Sequence, residues 1–250
     1  MLSKLNTLQV QTIEDVKSFF DKTALDYTEQ HGHPEKLLDY RISLIKKLGQ
    51  FKPNDVVLEV GCGHGQHLIE LAENFGAGIG IDLSDVMIES AKNRWENSGK
   101  TGNLTFRIDE AESMNTVPDN SIDVILFVGT MEHLLNRASV LMNTFRVLKD
   151  SGRFICLTPN RDFIWYRCIA PVLGIPTQHL STDRFLNKSE FKTMLKNTKF
   201  TSINIDPWTF IPKGDMHPVL GFIMQLVDTV GTIFKINVFQ SGLLAAARKN

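Results

Sequence analysis

The chain has 250 residues, 42% of them hydrophobic and 22% charged, with a formal net charge of −1. That profile fits one large globular domain with additions and carries no basic footprint for bulk nucleic-acid binding. Cys62, Cys156 and Cys168 stand far apart without a C-x-x-C pair, which argues against a disulfide framework and against a zinc site. With an N-terminus, Met1 to Val10, that lacks the apolar centre of a signal peptide, a reducing, cytoplasmic setting is expected.

In chain order, residues 12–30 carry Ile13, Val16, Phe20, Ala24 and Tyr27 on one helical stripe, opened by Thr12 as a cap. His31-Gly32-His33-Pro34 breaks that stripe, and Pro34 suits the first turn of a second helix. The second helix places Leu37, Leu38, Leu44, Ile45 and Leu48 on one side and ends at Gly49. Two helices ahead of the first strand form either a cap over the sheet's carboxyl end or a layer against its outer face.

Val56-Val57-Leu58-Glu59-Val60 is a short β-branched and apolar run, which predicts a buried central strand. Gly61, Gly63 and Gly65 follow at alternate positions, and helical periodicity starts near Gln66 with Leu68, Ile69, Leu71 and Ala72. Strand, glycine turn and helix start together bring bare backbone close to a ligand. A dinucleotide fingerprint, G-x-G-x-x-G, requires a small residue where this chain has Gln66. Glu59 is a poor neighbour for a pyrophosphate and a good one for an ammonium group. With Glu59, Gly61, Gly63 and Gly65 so placed, the segment resembles motif I, E-x-G-x-G-x-G, of class I S-adenosylmethionine-dependent methyltransferases.

The resemblance continues in order. Ala77 to Ile81 forms a second short strand ending in Asp82, near the spacing at which a strand-two carboxylate reaches a ribose diol. Asp82 has a competing use as cap of the helix from Asp85 to Trp95, but Ser84 already fills that position. Asn103 to Ile108 reads as a third strand, followed by Asp109-Glu110-Ala111-Glu112. This cluster is similar to the acidic turn with which the family meets adenine, and either Asp109 or Glu110 takes that part; the plain alternative is a solvated acidic loop. Ile122 to Val128 is a continuous apolar strand, and Met131-Glu132-His133-Leu134 after it is similar to the family's L-E-H-L. A helix over 136–149, a turn at Ser151-Gly152 and a strand from Arg153 to Pro159 complete a match running from about residue 54 to 160.

The implied fold is α/β: a Rossmann-like, doubly wound, seven-stranded sheet, mostly parallel with an antiparallel last strand. Its expected divisions are a helical cap (1–50), a donor-binding core (51–160), and the rest of the sheet with lid insertions (161–250). Beyond Pro159 the resemblance thins. Phe163, Ile164, Trp165, Tyr166, Ile169, Val172 and Leu173 make an apolar block; 187–200 reads as a helix and 201–205 as a sixth strand. Val219, Phe222, Ile223, Leu226, Val230, Ile233 and Phe234 then share one helical stripe, too short and too polar to span a bilayer. Leu243 to Ala247 is the last strand, which in the family runs antiparallel at the sheet edge.

What the resemblance implies is methyl transfer from S-adenosylmethionine, leaving S-adenosylhomocysteine, with no metal. Its expected donor contacts are Tyr27, Glu59, Gly61, Cys62, Gly63, Gly65, Asp82, Leu83, Met87, Asp109, Glu110, Ala111, Glu112 and Val128. A hydroxyl or amine acceptor needs a base, and histidine suits neutral pH. His133 at the end of strand four and His179 in the insertion are the candidates, with His31 and His33 behind them. Residues 161–176 and 219–234 are placed by chain order to roof the site, which points to a small apolar or amphipathic acceptor, with peripheral membrane contact left open. A module that only senses the donor, and a nicotinamide oxidoreductase, are the competing functions.

Overall fold

The computed structural model describes residues 9–24, 34–175, 177–178, 180–209 and 218–250. Tyr27, His31, His33 and His179 lie outside them.

The elements, in order, are α1 (Ile13–Thr23), α2 (Pro34–Gly49), β1 (Val56–Val60), α3 (Gln66–Leu71), β2 (Ala77–Asp82), α4 (Asp85–Glu96), β3 (Leu104–Ile108), β4 (Ile122–Val128), α5 (Arg137–Val147), β5 (Leu148–Pro159), α6 (Ala170–Val172), α7 (Lys188–Asn197), β6 (Thr201–Trp208), α8 (Pro218–Phe234) and β7 (Gly242–Arg248). The sheet order is β3-β2-β1-β4-β5-β7-β6. β1 to β5 pair in parallel, and β7 runs antiparallel to both of its neighbours. The chain winds outward in both directions from β1 and β4, so their carboxyl ends border the crevice where such sheets hold ligands.

Period-two alternation divides the strands between two cores. Val57, Val124, Leu126, Ile155 and Leu157 pack with Ile45, Leu68, Ile88 and Ala91 from α2, α3 and α4. Leu58, Val60, Ile125, Phe127 and Phe154 pack on the other face with Val140, Leu141, Phe191 and Leu195 from α5 and α7.

Several expectations need correction. The last strand is not at the edge. β7 is buried along most of its length and pairs on both sides, whereas β6 shows the alternating exposure of an outer strand. β6 also contains Pro207, which has no N–H to give to a further neighbour. Strand five starts earlier, at Leu148, because Ser151 takes a positive φ and the turn is absorbed as a register shift against β4.

The expected cap of residues 1–50 divides in two. α1 lies at the carboxyl end: its Phe19 and Phe20, like Leu83 after β2, pack against the cluster of Val10, Val16 and Leu180, and Ser84 Oγ donates to Asp21 at 2.5 Å. α2 instead lies on the sheet face, with Ile45 fully buried in the core there.

The stripe over 219–234 points the opposite way from the one expected. The residues of α8 turned inward are Gly221, Met224, Asp228 and Gly231, while Phe222, Ile223, Leu226, Ile233 and Phe234 are exposed. Polar anchoring decides this orientation. Buried Asp228 accepts from Ser241 N at 2.7 Å, and the Gly231 carbonyl accepts from Gln240 Nε2 at 3.0 Å. A Cβ on Gly231 would stand 2.5 Å from Phe239 Cβ. The block after β5 fares as expected in part: Phe163, Trp165 and Ala170 are buried, but they pack against Met224 of α8.

Candidate active site

The glycine turn after β1 is built by three left-handed residues, Gly61, Gly63 and Gly65, with φ of +68°, +50° and +71°. They face different neighbours. A Cβ on Gly61 would meet Thr130 Cγ2 at 2.4 Å, and one on Gly65 would meet Phe106 Cε1 at 2.6 Å and Ala91 at 3.2 Å. Gly65 therefore supplies the close helix–strand contact that a dinucleotide fingerprint assigns one position later, where Gln66 begins α3. A Cβ on Gly63 would meet only Met87 Sδ, at 4.0 Å. The space before Gly63 is open, as a ligand cradle requires. Cys62 turns its side chain into the core beside Gly80, leaving only its backbone to the turn.

Asp82 closes the turn from β2. Its carboxylate accepts from Gly63 N at 2.8 Å and from Ser84 N at 2.9 Å. Burial pushes its pKa up, against the lowering effect of those two hydrogen bonds. Each oxygen keeps a further lone pair for a ligand hydroxyl. Ser84 is the cap of α4, accepting from Met87 N at 3.1 Å, so Asp82 is not needed there. Leu83 and Met87 stand at the same rim, and Val128 ends β4 next to it.

Glu59 is 1% exposed, and its Oε1 accepts from His67 Nδ1 at 2.7 Å. Glu59 Oε2 and His67 Nε2 are both buried without a hydrogen-bond partner. A buried carboxylate oxygen left over at the end of β1 suits a ligand cation. No sequence signal sets His67 apart, because on a helix an isolated histidine looks like any polar residue.

The acidic turn after β3 separates its two candidates. The Asp109 carboxylate accepts from the backbone of Glu110, Asn115 and Thr116 and from Thr116 Oγ1, at 2.6–3.1 Å. Its hydrogen bonds go to shaping the loop. Glu110 is exposed, and Ala111 and Glu112 are half-buried. Asn143 and Ser139 of α5 hold the Glu112 carbonyl, and Arg146 binds the Ser113 and Met114 carbonyls, so the loop is fastened from behind.

His133 sits after β4, with the Phe20 ring of α1 edge-on at 5.4 Å. Its Nδ1 is 2.7 Å from Asp183 Oδ1, and Asp183 Oδ2 accepts from Leu180 N at 2.9 Å. Arg184 N donates to the Glu132 carbonyl at 3.0 Å, tying the segment around Asp183 to the turn that carries His133. Burial is the largest influence on His133 and works to lower its pKa. The Asp183 hydrogen bond and the charges of Glu132 and Asp183 outweigh burial, and the net shift is upward. Asp183 lies 50 residues from its partner. Nothing in the local sequence marks it, since only the path of the insertion brings the two together.

His64 reaches the other way. Its Nε2 donates to the Ala24 carbonyl at 2.9 Å and its Nδ1 accepts from Ser90 Oγ at 2.8 Å, which joins the glycine turn to α1 and α4. Among the described residues there is no group of three or more His, Cys, Asp or Glu able to hold a metal ion.

Strand order, glycine turn, acid at the end of β2 and acidic turn after β3 together define a class I S-adenosylmethionine-dependent methyltransferase domain. Residues 51–208 match the profile of the "Methyltransferase domain" family, and the chain belongs to that family. Among curated relatives, it is 30% identical over 156 residues to the demethylmenaquinone methyltransferase of Symbiobacterium thermophilum, covering 59% of this chain and 60% of that one. It is 26% identical over 155 residues to the ubiquinone/menaquinone biosynthesis C-methyltransferase of Hydrogenovibrio crunogenus, covering 59% of each. These matches thus span about three fifths of the relatives' length. Among solved structures, geranyl diphosphate C-methyltransferase from Streptomyces coelicolor, in complex with S-adenosylhomocysteine, superposes with a TM-score of 0.65 at 14% identity, over 92% of this chain and 84% of that one. The [4+2]-cyclase SpnF superposes with 0.69 at 17% identity, over 98% and 99%. Such likenesses establish the fold alone, and the second shows that the fold also serves a reaction named otherwise.

Proposed function

We propose that this chain transfers a methyl group from S-adenosylmethionine to a small acceptor with an apolar body and an ionisable hydroxyl, a quinol-like ring being the best fit. The observation that carries this reading is the His133–Asp183 pair, 2.7 Å apart at the carboxyl end of β4. The relatives named as quinone-pathway methyltransferases support the acceptor class.

The residues present fit the donor. Glu59 Oε2 offers a buried anionic oxygen for its ammonium group, Asp82 offers lone pairs for its ribose, and the bare face of Gly63 leaves room for its body. Glu110 takes the adenine side, since the Asp109 carboxylate is engaged within its own loop. When bound, the donor supplies a sulfonium methyl for in-line displacement, a reaction that disperses charge, so the chain's task is placement and exclusion of water. Because the Asp183 carboxylate can only accept, Nδ1 of His133 carries the proton and Nε2 the lone pair. Nε2 removes the acceptor's hydroxyl proton, raising electron density on the ring or oxygen that is methylated, and Asp183 steadies the imidazolium so formed.

Thermal shift and turnover test this. S-Adenosylmethionine and S-adenosylhomocysteine should raise the Tm progressively with concentration, and NAD and NADP should not. With a demethylated quinol, mass spectrometry should find a product heavier by one methylene, and His133→Gln should slow its formation by about 10²–10⁴-fold while leaving donor affinity unchanged. A Tm rise with NAD alone returns the chain to the oxidoreductases; full turnover in His133→Gln removes the base.

A further inference from the structure

α8 is patterned inside out. A helix at the surface of a globular protein normally turns its apolar stripe inward. Here the inward side is Gly221, Met224, Asp228 and Gly231, while Val219, Phe222, Ile223, Leu226, Ile233 and Phe234 are 48–70% exposed. Beside α8, joined to it by the cluster of Phe163, Trp165, Ala170 and Met224, lies a second apolar segment. Every residue of 171–175 is exposed, Val172 to 86%. A helix face this apolar and this exposed marks an interaction surface.

Charge selects the partner. Within residues 162–175 and 218–238 the acids are Asp228, which is buried and accepts from Ser241 N, and Asp162, which is half-buried and accepts from Asn237 Nδ2 at 2.9 Å. The exposed charges are Arg167, in the short helical segment Trp165–Ile169, and Lys235, directly after α8. We infer that this face seats on an anionic phospholipid membrane. α8, about 25 Å long at ~1.5 Å per residue, lies flat with its apolar side chains at the acyl boundary, and the two cations meet phosphate headgroups. Among the described residues no helix is long and apolar enough to cross a membrane, so the contact is made from one side. A second copy fits the face less well. An isologous pair would bring the same cations together, while the acids nearby, Asp162 and Asp228, already accept hydrogen bonds from Asn237 and Ser241.

The inference stands apart from the acceptor reading, and its test uses neither donor nor acceptor. Wild-type protein is sedimented with vesicles of phosphatidylcholine alone and of phosphatidylcholine with phosphatidylglycerol. Binding to the anionic vesicles is expected, several-fold stronger than to the neutral ones and weakened by salt. Phe222→Asp combined with Leu226→Asp should weaken it by at least about tenfold. Both positions are exposed, and near-native circular dichroism with an unchanged Tm should report a folded variant. Arg167→Glu with Lys235→Glu should abolish the anionic preference alone. Absence of binding to either vesicle overturns the inference, as does binding that the Asp pair leaves unchanged. An unchanged lipid preference in the Glu pair removes the headgroup contact. Sedimentation velocity showing a wild-type dimer that the Asp pair dissociates, without vesicle binding, assigns the face to a second copy instead.

Discussion

Gly63 and Gly65 share one turn and answer to different demands. Both hold a positive φ, which costs an alanine about 1–2 kcal/mol. Only at Gly65 does the added carbon also collide with packed side chains, 2.6 Å from Phe106, and overpacking typically costs ~1–3 kcal/mol more. Gly65→Ala should therefore lower the Tm well below that of Gly63→Ala. Gly63→Val should keep near-native circular dichroism and lose donor binding by equilibrium dialysis; retained binding would make this glycine a packing residue as well. A second prediction concerns Asp183→Asn. The raised pKa of His133 rests in part on the Asp183 hydrogen bond and charge, so the variant's histidine should titrate lower, followed by NMR of the ring protons. In the wild type the folded state holds this proton more tightly than the unfolded chain does. The resulting stability is present below the unfolded value of about 6.5 and is lost as pH rises through the higher folded value. Activity, which needs the neutral ring, should rise over that same upper window, and its acid limb should move to lower pH in Asp183→Asn. At this scale the glycine turn and the acid that closes it are legible, because Gly61, Gly63, Gly65 and Asp82 follow strand ends at fixed spacings. Asp183 and His67 are not, because their roles come from tertiary approach. Sequence does not separate Asp109 from Glu110, because the hydrogen bonds that engage the Asp109 carboxylate within its own loop come from residues six and seven positions further on.

Elements follow the same division. Buried strands appear in the sequence as apolar runs with turn residues at their ends, and β1, β2 and β4 lie where those runs are. The apolar stripe over 219–234 marks helix α8 but not its orientation. Periodicity identifies an apolar stripe without saying what covers it, and here a buried carboxylate and a glycine contact outvote the stripe. α2 gives a comparable case of polar fastening. Arg153 of β5 donates to the carbonyls of Gly49 and Gln50 at the helix end and pairs with buried Asp55. Removing one member of a buried ion pair leaves the other uncompensated, which costs about 3–5 kcal/mol. Arg153→Ala should lose that much stability in urea unfolding, with an unchanged m-value. A loss below about 1 kcal/mol would show that solvent reaches Asp55 and that α2 is held by Ile45 and its neighbours alone.

The molecule as a whole gathers the glycine turn, Asp82 and the His133–Asp183 pair near the carboxyl ends of the parallel strands and turns a separate apolar face outward, on the helix that follows β6. Its overall plan was readable because four motifs in fixed order leave little topological freedom. The position of β7 was not, since hydrophobic alternation does not say which strands are neighbours. That position has a consequence for how the chain comes into being. β7 lies between β5 and β6, yet both are synthesised before it. As the polypeptide leaves the ribosome, β5 presents one open flank and β6 has no strand to join, a state that invites pairing with other nascent chains. Vectorial folding can complete the five parallel strands early, and addition of the last two waits for residues 242–248 to emerge. Those seven residues then satisfy two rows of backbone donors and acceptors at once. Assembly of this sheet is thus gated by translation of its seventh strand.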